Sequence, residues 1–176
     1  MLRSLLLIML LFFLSCGITD LINSDEVDCK SLCLKKSECS EIGDGEENSC
    51  NENCQKLLKY GYIEKNAGKK INDCTKENCE KFRSCLNNIN CEEPEYHNYI
   101  NTRCKKFDQC GSAIPETTCL ISGTESVGTD IKNSILKCST DKLFIDISEC
   151  INNGVCEYIE DYTESCLEYY YLIKTF

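Results

Sequence analysis

Between residues 29 and 166 sixteen cysteines fall at short, recurring intervals, and this spacing constrains the fold more than any other feature. The intervals read Cys29-x3-Cys33-x5-Cys39, Cys50-x3-Cys54, Cys74-x4-Cys79-x5-Cys85-x5-Cys91, Cys104-x5-Cys110 with Cys119, then Cys138, Cys150-x5-Cys156 and Cys166. About one residue in ten is then a cysteine, the density of a disulfide scaffold folded in an oxidising compartment. The five-residue gap recurs with related contents in C79-E-K-F-R-S-C85 and C104-K-K-F-D-Q-C110, and more loosely in C33-L-K-K-S-E-C39. Each copy reads as a helix with its own staples, repeated irregularly along the chain.

Helix signals agree with that reading. The chain has two prolines and almost no β-branched alternation, so strands are not expected. A three-residue gap puts Cys29 and Cys33 on one helix face, and Cys50 and Cys54 on another. Ser49 with Glu52 forms a capping box for the second helix, and Ile42-Gly43-Asp44-Gly45 supplies the break between the two. Two antiparallel helices of this kind can be joined as Cys29–Cys54 and Cys33–Cys50. The arrangement resembles the helical hairpins of small disulfide-rich peptides such as the α-hairpinins, a likeness of scaffold and not of function.

A gap of five turns the second cysteine about 120° away from the first on an ideal helix. Cys39 therefore leaves the hairpin seam and staples another element. Two segments read as connectors, Asn66 to Lys70 and Ile121 to Asp130. Cutting there leaves modules at 29–65, 72–119 and 135–176, of which the first two hold odd numbers of cysteines. At least one disulfide is then expected to join those two modules, with Cys39–Cys74 as the pairing. The fold class that follows is all-α: disulfide-stapled helical hairpins in a small array, with irregular loops. Pro94 is expected to open a helix running through Tyr96, Tyr99 and Ile100 to Lys106. Leu143, Phe144, Ile147 and Ile151 follow helical core spacing, as do Val155, Tyr158, Ile159, Tyr162 and Cys166. The tyrosine run Tyr169-Tyr170-Tyr171 reads as a packed terminal helix, with a contact surface as the alternative.

The seventeenth cysteine, Cys16, stands apart. Arg3 is followed by ten uninterrupted apolar residues, Leu5 to Leu14, which is too short to span a bilayer and suits a signal peptide. F13-L14-S15-C16 resembles a bacterial lipobox, in the loose form of spirochaete lipoproteins. The resemblance implies cleavage after residue 15, a lipidated Cys16, and a tether over 16–28. An ordinary cut after Gly17 is the other possibility, and both routes remove Cys16 from the free thiols and leave sixteen cysteines to pair. The lipidated form belongs to the cell envelope or outer membrane surface, and the other is secreted.

Without Arg3 the chain carries 18 Lys and Arg against 29 Asp and Glu, a net charge near −11. That field repels nucleic acid and anionic lipid headgroups. It suits solubility, and equally a basic partner. No C-x2-C occurs, which removes the common redox, haem, zinc and iron–sulfur patterns. His97 is the only histidine and reads as a surface or seam residue without a nucleophile motif beside it. Neither catalysis nor a cofactor nor a metal is expected. The functional expectation is an exported interaction protein of unknown partner, tied to a membrane through Cys16 or freely secreted.

Overall fold

The computed structural model describes residues 25–174; the leader, Cys16 and the last two residues lie outside them. All-α architecture is observed. Helix α1 spans Cys29–Glu38, α2 Glu47–Lys59, α3 Ala67–Cys74, α4 Cys79–Asn87, α5 His97–Gln109, α6 Glu116–Asn133, α7 Asp141–Asn153, α8 Ile159–Cys166 and α9 Glu168–Lys174. Short 3-10 turns, Ile135–Cys138 and Cys156–Tyr158, precede α7 and α8. Among the described residues extended pairing is limited to a single antiparallel bridge between Ile63 and Ser139. None of the described helices is long and apolar enough to cross a membrane.

Eight disulfides pair all sixteen cysteines. Cys29–Cys54 and Cys33–Cys50 close the α1–α2 hairpin, with Cα separations of 5.6 and 5.8 Å. Asp28 caps α1 by accepting from the Ser31 amide at 3.1 Å and the Ser31 hydroxyl at 2.6 Å, and these bonds hold its carboxyl below the usual range. The capping box expected at Ser49 is absent. Helix α2 begins earlier, at Glu47, because Glu46 folds back to accept from the Gly43 amide at 2.9 Å.

The bridge from the first module is Cys39–Cys79, not Cys39–Cys74. Cys74 sits on the inward face of α3 and pairs with Cys85 of α4 only eleven residues away. That leaves Cys79, the first residue of α4, to meet Cys39 at the C-terminus of α1. Two further bridges join the second and third cysteine groups, Cys91–Cys138 and Cys110–Cys156, while Cys104–Cys119 and Cys150–Cys166 are local.

Both expected connectors are helical instead. Asn66 to Lys70 leads into α3, and Ile121 to Asp130 is the middle of α6. Their glycines serve close packing rather than flexibility. A Cβ on Gly68 would stand 2.1 Å from the Asp25 carbonyl oxygen, and one on Gly128 would stand 2.9 Å from the Tyr96 hydroxyl. Asn72 fixes the strand of chain over Gly68, accepting from the Asp28 amide and donating to the Glu26 carbonyl, both at 2.8 Å. One apolar cluster then runs through all three cysteine groups, from Val27 and Leu57 through Ile71, Phe82 and Tyr99 to Ile173.

Helices α5 and α7 form the densest part of that core. Leu143, Phe144, Ile147 and Ile151 are buried as their spacing predicts, and Phe144 meets Tyr99 at 5.9 Å and Tyr96 at 6.2 Å. Helix α5 starts at His97, three residues after Pro94, with Tyr96 at its N-cap.

Candidate functional site

The C-terminal tyrosines divide their work. Tyr170 is buried and its hydroxyl donates to Asp130 at 2.8 Å; burial and that carboxylate push the phenol well above its ordinary range. Tyr169 packs on Tyr60 and Tyr62 at 5.2 and 5.3 Å, and burial followed by the Tyr60 contact pushes it up to about 12. Tyr62 in turn donates to Asp146 at 2.8 Å under the Lys142 ammonium. Packing is thus the main role of this run, and Tyr171 is exposed.

The segment before it departs from the expected core stripe. Ile159 and Cys166 are buried, whereas Val155, Tyr158 and Tyr162 are 61, 58 and 37% exposed. The helical register expected for 155–166 holds only from Ile159 on, because Gly154 ends α7 and a 3-10 turn intervenes before α8. The Cys110–Cys156 bond pins that turn to the end of α5. Between them lies an open hollow of about 390 Å³, walled by Phe107, Ser112, Glu157, Tyr158, Glu160 and Asp161. Asp161 is also the first wall residue of a shallower depression that continues past Glu164, Ser165 and Glu168 to Tyr171 and Leu172. All five carboxylate residues of this face are exposed, and no Lys or Arg occurs between Lys142 and Lys174. Sequence spacing hid the face; its signal was the acid run interleaved with tyrosines, read as helix core.

A second cleft, of about 580 Å³, opens between α1 and α2 and is lined by Lys36, Ser40, Glu41, Glu46, Ser49 and Asn53. Lys36 is almost wholly buried there. Burial pushes its ammonium down to about 8, against the pull of the Glu41 carboxylate. Glu41 itself holds Arg83 of α4 at 3.0 Å, and Ser40 takes a left-handed backbone, φ 55°, to turn the chain between them.

His97 lies exposed at the start of α5, its ring stacked on Tyr96 at 4.3 Å. The sixteen described cysteines are consumed in disulfides and offer no thiolate. Among the described residues no three His, Cys, Asp or Glu side chains converge as a metal ion would require. No family model matches the chain, and neither a curated protein nor a solved structure shows significant similarity to it.

Proposed function

We propose that this chain is an exported, non-enzymatic interaction protein, held at the surface of a bacterial cell envelope by a lipid on Cys16. The observation that carries the reading is cysteine accounting. The eight disulfides use every cysteine from Cys29 to Cys166, so Cys16 has no cysteine left to pair with inside the chain. An exported protein resolves such a remainder by acylating the thiol or discarding it with the leader. A body cross-linked this densely belongs to an oxidising compartment, and its rigidity suits the presentation of a fixed surface. The acidic surplus supports a protein or small-ligand partner over nucleic acid.

Intact mass of the mature protein tests the reading. A chain beginning at acylated Cys16 supports it; a chain beginning at Ile18 assigns the protein to the secreted class. A chain that retains Leu5 to Leu14 overturns export by either route.

A further inference from the structure

The face between the α5–α6 turn and α8 combines three properties that point to one kind of occupant. It is concave, with the 390 Å³ hollow continuing through Asp161 into the next depression. It is aromatic, since Tyr158 lines the hollow and Tyr171 the depression beyond it, both more than a third exposed. It is also uniformly acidic, with Glu157, Glu160, Asp161, Glu164 and Glu168 along its length. Two cations of α5 are already engaged: Lys106 donates to the Asn152 carbonyl at 3.1 Å, and Arg103 lies 5.4 Å over the ring of Phe107 in the wall of the hollow.

We propose that this face docks a lysine- and arginine-rich polypeptide segment of a partner protein, an assignment that rests on reading the chain as an interaction protein. An aliphatic lysine or arginine stem lies along the exposed rings while its charged head reaches the carboxylates, and the ring faces attract the cation as well. An apolar or acidic segment gains neither contact, and the second repels the face outright. The Cys110–Cys156 bond keeps the two walls of the hollow at a fixed separation, so little ordering is lost on binding. The two depressions give an extended segment a track rather than a single pocket.

The probe is a fluorescently labelled deca-lysine peptide, with a Gly-Ser peptide of equal length as its control, titrated with the oxidised mature chain. Anisotropy is expected to report binding of deca-lysine alone, weakening as salt rises. Glu157→Lys, Glu160→Lys and Asp161→Lys together are expected to weaken it by about tenfold or more. An equal charge change elsewhere, Glu52→Lys, Glu77→Lys and Glu125→Lys, is expected to cost less than about threefold. Tyr158→Ala with Tyr171→Ala should weaken binding by about fivefold at unchanged net charge. Equal losses in the two charge-reversed variants would mean that only the overall field acts, and would overturn the site. No binding by the parent chain, or equal binding of the Gly-Ser peptide, overturns it too. If charge reversal lowers the melting temperature, the neutral set Glu157→Gln, Glu160→Gln and Asp161→Asn carries the same comparison. None of these outcomes depends on the acyl group, so the docking claim and the lipid anchor fail separately.

Discussion

The α1–α2 hairpin and the α5–α7 layer solve the same problem with different materials. The hairpin buries few large apolar side chains: Leu32 and Leu57 are fully enclosed, and beside them stand the sulfurs of Cys29, Cys33 and Cys54. Its inward face even carries Lys36. The α5–α7 layer instead encloses Tyr99, Ile100, Leu143, Phe144, Ile147 and Ile151, with Cys104 as the one fully buried cysteine of its two helices. Covalent restriction of the unfolded chain replaces apolar burial in the first region. In the second, burial of large side chains carries the stability. The difference teaches that cysteine density in such a chain marks where a core is thin.

Two substitutions separate the two regions most sharply. Phe144→Ala should lower stability by about 3–5 kcal/mol through lost burial and a cavity. Cys29→Ala with Cys54→Ala frees only the short flanks outside the nested Cys33–Cys50 bond, and should cost about 2.5 kcal/mol in the chain-entropy account. Urea unfolding in reductant then tells them apart. The cysteine pair should become indistinguishable from the equally reduced parent, while Phe144→Ala should keep its penalty. If the cysteine variant remains weaker in reductant, the hairpin relies on sulfur packing rather than cross-linking.

That contrast also marks how far the sequence could be read. The hairpin was legible because its signals are local: two C-x3-C faces and a glycine break lie within 26 residues, and α7 shows an uninterrupted helical stripe. The glycines of Asn66–Lys70 and Ile121–Asp130 misled, because a glycine that permits flexibility and one that permits close approach look identical until the neighbour is known. For Gly68 that neighbour is Asp25, forty-three positions away, and no spacing rule reaches it. The acid–tyrosine face was hidden similarly, since a single 3-10 turn moves Val155 and Tyr158 out of the register that would bury them. Cys39–Cys79 needed the orientation of α3 and α4, which parity of cysteines does not supply.

The hairpin and the C-terminal helix packed on α7 should also answer pH in opposite senses. Lys36, in the hairpin, is held near 8 by burial, below the ordinary value of about 10.4 in an unfolded chain. Between these values the unfolded state binds more protons, so stability rises with pH. The gain should total about 2–3 kcal/mol from pH 8 to 10. Tyr170, in the C-terminal region, is raised instead; its contribution is complete below its unfolded value near 10 and is lost as pH climbs further. Chemical denaturation across pH 7.5 to 11 should therefore give a rise followed by a fall. A flat profile between 8 and 10 would show that the lysine is not desolvated, and Lys36→Met should remove the rise while leaving the fall.

Close approach at Gly68 offers a smaller perturbation, placed where α3 meets the segment that leads into the hairpin. Gly68→Ala forces a methyl group into the Asp25 carbonyl and the Val27 amide, at 2.1 and 2.7 Å before any relaxation. Both neighbours are backbone, so the segment over α3 must lift as a unit and strain the Asn72 clamp. Overpacking of this kind costs about 1–3 kcal/mol. Amide exchange should speed up first at Asp28, whose N–H is bound to Asn72, with little change in α7. Uniform acceleration across both regions would instead mean that they open as one cooperative body.

The smallest effect isolates a single polar contact in the C-terminal region. Tyr170→Phe keeps the buried ring against Phe144, 6.3 Å away, and removes only the hydroxyl that donates to Asp130. The net worth of such a bond to a charged acceptor is about 1.5–3 kcal/mol when the acceptor is left dry. Here Lys174 also binds the same Asp130 oxygen at 2.9 Å, so the carboxylate is not stranded, and the cost should fall to about 1 kcal/mol. Lys174→Ala alone should cost less still, because the lysine end of the ion pair reaches solvent. Combined, the two changes should cost more than their sum, since together they leave Asp130 without either partner. A strictly additive double variant would show that water takes the place of both, and that α9 is held by Ile173 and Tyr170 through burial alone.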